Sequence, residues 1–143
     1  MDITTLADHH AITTLVHRLG AALDEARFDD LRHLVSADAT ATTPGGHAEG
    51  VDAVIAQAAR NHTPDDTIQH VISNVIVDLD GAEAAVRANV VITFVGPGKT
   101  EPYRTMGGIY RFRARRTDGD WRLTSVATTP AWHTGTPPAP RAA

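Results

Sequence analysis

The chain has 143 residues, of which 42% are hydrophobic and 21% charged, and its formal net charge is −4. This length and composition predict a single globular domain with a substantial core, and the negative charge argues against nucleic acid or an anionic membrane as its main partner. There is no cysteine, which excludes disulfides, thiolate metal ligands and cysteine nucleophiles.

The N-terminal half of the chain predicts helices. The first runs from Leu6 to about Glu25, and its apolar residues form one stripe at helical spacing: Ile12, Leu15, Val16, Leu19 and Leu23. A short second helix is expected from Leu31 to Ser36 and a third from Val51 to Arg60. Between them, ADATATTP reads as a β-tolerant segment that ends at Pro44, and GGHAEG reads as a loop.

After residue 66 the hydrophobic period changes from 3.6 to 2, which predicts strands. Four are expected, separated by the turn sequences DGAE, GPGKTEP and TDGD: Thr67–Asp78, Ala85–Val95, Tyr103–Arg116 and Trp121–Thr129. Helices followed by a meander of long strands predict an α+β fold, in which a curved, mostly antiparallel sheet and the helices on its concave side enclose a cavity. We assign residues 1–134 to this single domain and expect the proline-rich tail, 135–143, to be disordered.

The chain shows no targeting signal in its opening segment. MDITTLADHH has neither the basic region nor the apolar core of a signal peptide, and no apolar run approaches the ~20 residues of a membrane span. We therefore expect a cytoplasmic protein without a membrane partner.

The third predicted strand separates an apolar side from a charged side. Met106, Gly108, Tyr110 and Phe112 alternate with Arg111, Arg113 and Arg115. The alternating arginines could form a nucleic-acid patch, but the acidic chain favours a solvated outer sheet face. Met106 and Tyr110 are candidates for pocket lining, with plain core packing as the alternative.

Several kinds of chemistry lack support in the sequence. The eight histidines show no HxxxH or HExxH spacing, so a metal site is not expected. None of the serines stands in a GxSxG context, and neither GPGK nor GG has the strand–loop–helix setting of a phosphate cradle.

Acid–base chemistry is better supported, by Asp24 and His70. A carboxylate at the end of a helix sits against the negative end of the macrodipole, so Asp24 calls for a compensating partner. His70 lies in the stretch IQHVISN of the first long strand, where a regular strand would point it to the same side as Asn74. A carboxylate can orient an imidazole so that its other nitrogen acts as base or acid near neutral pH. The residues alone leave open that both groups are structural.

Long segments of the chain resemble the SnoaL-like family of the NTF2-like superfamily. The resemblance covers about residues 3 to 135 and rests on LVHRLGAALDEARFDDLRHLVSADAT, GHAEGVDAVIA, QHVISNVIVDLDGAEAAVRANVVI, GIYRFRARRTDGDWRL and AWHTG. It implies a cone-shaped fold, in which helices and a curved sheet surround a deep pocket, and often a homodimer. The family's enzymes include polyketide cyclases, ketosteroid isomerases, dehydratases of the scytalone and bile-acid types and epoxide-opening enzymes, and most need no cofactor.

The resemblance also implies roles for individual residues. Asp24 and His70 match an aspartate and a histidine of the dehydratase-like branch. Two positions depart from that pattern, because Leu19 replaces a tyrosine of the first helix and Phe112 replaces an aspartate that follows the third-strand tyrosine. Both changes make the expected pocket more apolar than that of a standard dehydratase.

We therefore expect a cofactor-independent cyclase, dehydratase or isomerase, with no metal, that acts on an apolar oxygenated natural-product intermediate such as a polyketide. Asp24 would orient His70 as general base or acid. The remaining candidate residues would contact the substrate: Asn74, Asn89 and Thr93 by hydrogen bonds, and Leu19, Met106, Tyr110, Phe112 and Trp132 by shaping the cavity. Trp132 and His133 would close its mouth or cover the sheet edge. The alternatives are an epoxide-opening cyclase or hydrolase, in which Asp24 activates a nucleophile, and a non-catalytic module that binds a small ligand.

Overall fold

The computed structural model describes residues 1–136. In chain order the elements are α1 (Ile3–Asp24), a 3₁₀ helix (Phe28–His33), β1 (Val35–Thr43), β2 (Gly46–Glu49), α2 (Val51–Asn61), β3 (Thr67–Asp80), β4 (Glu83–Val95), β5 (Arg104–Thr117) and β6 (Asp120–Gly135). The predicted α+β class is confirmed. Of the tail expected to be disordered, 137–143 lies outside the described residues. Neither α-helix in residues 1–136 has the length and apolar character that a membrane crossing requires.

All six strands belong to one sheet, in the order β2-β1-β6-β5-β4-β3. β3, β4, β5 and β6 form the expected antiparallel meander. β1 then adds to β6 in parallel, with Thr40 opposite Ser125, and β2 pairs antiparallel with β1. The sheet is therefore mixed, and β1 and β2 extend it beyond the four strands predicted from the sequence.

Three local predictions differ from the structure. The predicted second helix is a 3₁₀ helix that begins at Phe28, the ADATATTP segment belongs mostly to β1, and the GGHAEG loop contains β2. The small side chains of Ala41 and Ala48 face each other across β1 and β2 and are both buried. Their strand conformation is stabilised by hydrogen bonds to non-local partners, which local propensity does not reveal. β6 continues six residues past the predicted end, through Pro130, where the register with β5 shifts.

α1 packs across the sheet through the predicted stripe. Ile12, Leu15, Val16 and Leu19 are at most 8% exposed. The helix lies close against β3 at Gly20, where a Cβ would stand only 2.9 Å from Cδ1 of Ile72. This close approach brings the C-terminal end of α1 against β3.

Asp8 ties the N-terminal half of α1 to the hairpin of β5 and β6. Its Oδ1 accepts hydrogen bonds from Nε1 of Trp121 at 2.9 Å and from Nη1 of Arg116 at 3.1 Å. The Arg116 guanidinium also lies over the Trp121 ring, 5.5 Å from its centroid. Because Trp121 is 5% exposed, its indole N–H depends on this carboxylate as a partner.

The variant Asp8→Ala is expected to lower the free energy of unfolding by about 1–3 kcal/mol, because it leaves a buried N–H without an acceptor. Urea titration followed by tryptophan fluorescence measures the change. Asp29→Ala is the matched control, since Asp29 is exposed on the 3₁₀ helix, and its midpoint should stay at the wild-type value. Equal midpoints for both variants would contradict a stabilising role for Asp8.

Candidate active site

Asp24 and His70 are in direct contact. Oδ1 of Asp24 is 2.6 Å from Nδ1 of His70 and also accepts a hydrogen bond from the His70 backbone N–H at 2.8 Å. Because an ionised carboxylate only accepts, the Nδ1 atom of a neutral imidazole carries the proton and Nε2 keeps its lone pair. The two side chains are 23% and 9% exposed, respectively, so the contact is largely shielded from solvent. Nε2 of His70 is thus the atom available to a molecule in the cavity.

The fold positions this pair through one helix end and one strand. α1 ends at Asp24, and the chain turns away two residues later through Ala26, whose φ is 54°. His70 stands on β3 opposite Ile92 of β4, on the side of the sheet that faces the helices. Since the backbone N–H of His70 also binds the carboxylate, the position of Asp24 depends only partly on the imidazole.

A cavity of about 470 Å³ lies between the sheet and the helices, with His70 in its wall. Most of its lining is aliphatic or aromatic and comes from all three helical segments and from β1, β3, β4, β5 and β6; examples are Leu23, Phe28, Leu31, Val54, Ile68 and Phe94. Among the described residues that line it there is no aspartate or glutamate, so Asp24 reaches the cavity only through His70.

Tyr110 contributes a phenol to the cavity wall. Its side chain is 4% exposed, and its hydroxyl makes no hydrogen bond to another residue in the range 1–136. Burial raises the pKa of Tyr110 far above its usual value near 10, and the charge of Asp24 acts in the same direction. The hydroxyl therefore stays protonated at physiological pH and can donate a hydrogen bond to a ligand oxygen.

The other tyrosine of the chain has a raised pKa as well. Burial and the hydrogen bond that its hydroxyl donates to Asp66 raise the pKa of Tyr103 to about 12. Because both folded-state pKa values exceed that of an unfolded tyrosine, the stabilisation is complete below about pH 10 and is lost as pH rises above it.

The chain has only two tyrosines, so absorbance at about 295 nm should show almost no phenolate at pH 10. Half-ionisation of either tyrosine near pH 10 in the folded protein would contradict this expectation.

Of the five residues predicted to shape the pocket, three lie in its wall, Phe112 lies behind it and Trp132 lies on the outer face of the sheet. Leu19, Met106 and Tyr110 line the cavity. Phe112 is 2% exposed and belongs to the core, with its ring edge-on to Tyr110 at a centroid distance of 5.2 Å. Its expected place in the cavity wall is therefore corrected, because β5 runs on past the cavity and places Phe112 where the core is filled.

Asn74 does not share the face of His70, contrary to the expectation from alternation. The register between β3 and β4 shifts between Ser73 and Ile76, and Asn74 has a φ of 54° and is exposed. This β-bulge adds a residue to β3, so even-numbered positions face the helices before it and odd-numbered positions after it. Asn74 lies outside the cavity as a result.

Three further predicted contacts lie on the outer face of the sheet. Asn89 and Thr93 stand opposite Ser73 and Gln69, whereas the cavity side of β4 carries residues such as Ile92. The strand alternates as predicted, but its polar positions are the ones that face outward. Trp132 is 49% exposed and covers Gly107 on the same outer face, where a Cβ would stand 2.2 Å from the indole. It therefore does not close the pocket mouth.

The prediction of a solvated arginine face on β5 is confirmed. Arg111 and Arg113 are exposed on the side opposite the cavity. Arg115 donates to Asp38 at 3.2 Å. Exposed guanidinium groups and an ion pair at the surface are typical of a solvated sheet face.

Sequence reasoning missed several polar groups of the cavity wall, among them Arg104 and Gln57. Arg104, like Met106 and Tyr110, occupies an even-numbered position of β5. The alternation of the strand therefore predicts that its side chain points to the cavity side of the sheet. Gln57 lies on α2 and is 5% exposed. It is the one polar residue in the range 1–136 that is buried. Its position on the inward stripe of α2, three residues after Val54, was also readable from the helical period.

No group of three or more histidine, aspartate or glutamate side chains in the described part of the chain is arranged to hold a metal ion. The polar groups that reach the cavity are suited to proton transfer and hydrogen bonding. They include an imidazole held by a carboxylate, a phenol, an amide and a guanidinium.

Comparison with known proteins gives a family match and a common fold. The model of the SnoaL-like domain family matches residues 4–127. No curated protein sequence is significantly similar to the chain. Among solved structures, a putative scytalone dehydratase from Novosphingobium aromaticivorans is 23% identical with a TM-score of 0.83, covering 98% of this chain and 95% of that one.

Two other solved structures share the fold at lower sequence identity. A type 2 hexachlorocyclohexane dehydrochlorinase (LinA) is 17% identical with a TM-score of 0.83, covering 100% of this chain and 98% of that one. ActVI-ORFA from Streptomyces coelicolor is 13% identical with a TM-score of 0.76, covering 87% and 97% of the two chains. At these identities the likeness shows the fold alone, and it confirms the cone-shaped, NTF2-like architecture predicted from the sequence.

Proposed function

The chain belongs to the SnoaL-like domain family, and we propose that it is a small acid–base enzyme acting on an apolar, oxygenated small molecule by dehydration, isomerisation or cyclisation. The observation that carries the proposal is the 2.6 Å contact between Asp24 and His70 at the wall of an apolar cavity. Two similar folds belong to a putative dehydratase and a dehydrochlorinase, both lyase-type activities. That likeness supports the reaction class without identifying the substrate.

The chemistry begins with a proton transfer to His70. Nε2 would take a proton from a substrate carbon beside a carbonyl, or from a hydroxyl, and the resulting imidazolium would be stabilised by the Asp24 carboxylate. The Tyr110 phenol would donate a hydrogen bond to the oxygen on which negative charge develops. The imidazolium would then return the proton to a leaving hydroxyl, which departs as water, or to another atom of the substrate.

The composition of the cavity favours this reaction over the two alternatives. Epoxide opening would need a carboxylate that activates a nucleophile, whereas Asp24 is hydrogen-bonded to His70 and the described lining residues include no other acid. A non-catalytic module that binds a small ligand would also need a cavity, but it would not need a carboxylate that orients an imidazole, and Oδ1 of Asp24 lies 2.6 Å from Nδ1 of His70. The homodimer expected from the resemblance stays a prediction.

The test is to identify the compound that accumulates when the gene is deleted and to treat it with the purified protein. We expect conversion without an added cofactor, and the mass of the product distinguishes dehydration, which removes one water, from isomerisation or cyclisation, which keep the mass. If the imidazolium returns the proton to carbon, as in an isomerisation, a reaction run in D₂O should place deuterium at that carbon, whereas a dehydration that sends the proton to the leaving hydroxyl should not. Failure to convert the accumulated compound, or conversion that needs no His70, would contradict the proposal.

A further inference from the structure

Arg104 places a cation without a partner in the wall of an otherwise apolar cavity. It lies on the cavity side of β5, opposite Phe94 of β4. Its Nη1 atom is buried, yet in residues 1–136 it has no hydrogen-bond partner, and no carboxylate lies within ion-pair distance of the guanidinium. A buried cationic donor without a partner is costly, and natural proteins rarely keep one without a use.

One acidic side chain near Arg104, Asp66, is hydrogen-bonded to Tyr103 instead. Asp66 accepts a hydrogen bond from the Tyr103 hydroxyl, next to Arg104 in the chain, and forms no ion pair with the guanidinium. The described lining residues include no aspartate or glutamate, and the second arginine among them, Arg60, is exposed at the end of α2. The charged side chains facing the cavity are therefore positive, and Arg104 is the more enclosed of the two.

The distance to the acid–base pair suits the two ends of one ligand. Ile68, Phe94 and Arg104 form one row across β3, β4 and β5, and His70, Ile92 and Met106 form the next row. Arg104 is thus two strands across and one row along from His70, which puts their Cα atoms about 12 Å apart. Both side chains reach into the cavity, so an apolar body of one or two fused rings spans the remaining gap.

We propose, resting on the acid–base function proposed above, that Arg104 binds a carboxylate of the substrate while His70 acts on the opposite end of the molecule. The substrate class is then an apolar, oxygenated carboxylic acid. A guanidinium holds a carboxylate through two parallel hydrogen bonds and so fixes its direction as well as its distance. That orientation sets which substrate carbon comes to rest against Nε2 of His70.

The test compares two probes of the same shape, naphthalene carboxylate and naphthalene carboxamide, by isothermal titration calorimetry at neutral pH. The wild type should bind the carboxylate at least about 10-fold more tightly, the preference expected from a charge-assisted hydrogen bond. Arg104→Gln should reduce this preference to about twofold or less, whereas Arg104→Lys should keep part of it. Arg111→Gln, on the outer face of the same strand, is the matched control and should leave the preference unchanged, whereas Arg60→Gln should reduce it less than Arg104→Gln does.

Two further variants distinguish an effect on carboxylate binding from effects on catalysis and on folding. His70→Ala should retain the carboxylate preference, because binding at Arg104 needs no proton transfer, so the acid–base proposal can fail while the carboxylate site stands. Arg104→Met should be at least as stable to urea as the wild type, since it removes a buried cation without a partner. A wild type that binds both probes equally or binds neither, a preference that survives Arg104→Gln, or one lost in Arg111→Gln would each overturn the proposed carboxylate site.

Discussion

The variant His70→Ala is expected to convert the substrate about 10²–10⁴-fold more slowly than the wild type, because general acid–base catalysis by a positioned side chain contributes a factor of that size. Nε2 of His70 is the basic atom that the Asp24 contact directs into the cavity. The replacement leaves the His70 backbone N–H in place, so the 2.8 Å hydrogen bond to Asp24 can persist. The loss should therefore appear in kcat, measured as the initial rate at saturating substrate.

Two companion variants show whether such a loss is chemical. Asp24→Asn should also slow turnover, because its amide can donate to Nδ1 and so favour the tautomer in which Nε2 carries the proton. His10→Ala is the matched control, since His10 is exposed on α1, and it should keep the wild-type rate. Full turnover by His70→Ala would show that the mechanism is wrong. Melting curves for all three variants separate lost catalysis from lost folding.

The variant Phe112→Ala is expected to lower the free energy of unfolding by about 3–5 kcal/mol, the cost of truncating a buried aromatic side chain and leaving a void. Phe112 is 2% exposed and stands between Val86 of β4 and Val126 of β6. Its ring also supports Tyr110, whose centroid is 5.2 Å away. Urea unfolding measures this change in the free energy of unfolding, when the curves of all variants are fitted with one common slope of free energy against urea concentration.

The conservative change Phe112→Leu should cost less than the alanine change, because it leaves a smaller void. Phe28→Ala is an informative comparison, since Phe28 faces the cavity and is only partly buried. Truncation there enlarges a space that already exists, and the loss should be smaller than for Phe112→Ala. If Phe28→Ala lowered the free energy of unfolding more than Phe112→Ala, the assignment of Phe112 to the core would be contradicted.

The acid–base pair shows how far sequence reasoning reached at the site. The helix-ending Asp24, the strand residue His70 and the family resemblance were enough to select the two residues. The sequence could not supply their 2.6 Å separation, because it depends on how closely α1 approaches β3. Gly20 permits that approach, but a glycine in a helix is by itself compatible with many packing distances.

The substrate contacts were harder to predict, and the β-bulge in β3 explains one error. Alternation is reliable only while the strand is regular, and the extra residue after Ser73 reverses the direction of every later position. The predictions for Asn89 and Thr93 were wrong for another reason. Alternation divides a strand into two faces, but it does not say which face meets the helices. Arg104 was readable from the same alternation and was overlooked because its charge suggested solvent.

The sequence by itself determined the α+β class, the long strands and the buried stripe of α1, and each of these follows from a local period. The proposed pair of Asp24 and His70 needed side-chain chemistry together with the family resemblance. Only the tertiary structure decided that β1 pairs in parallel with β6, which face of β4 lines the cavity, and that the Nη1 atom of Arg104 is buried without a hydrogen-bond partner among residues 1–136. These features depend on contacts between residues distant in the chain, and their energies arise only when the elements pack together.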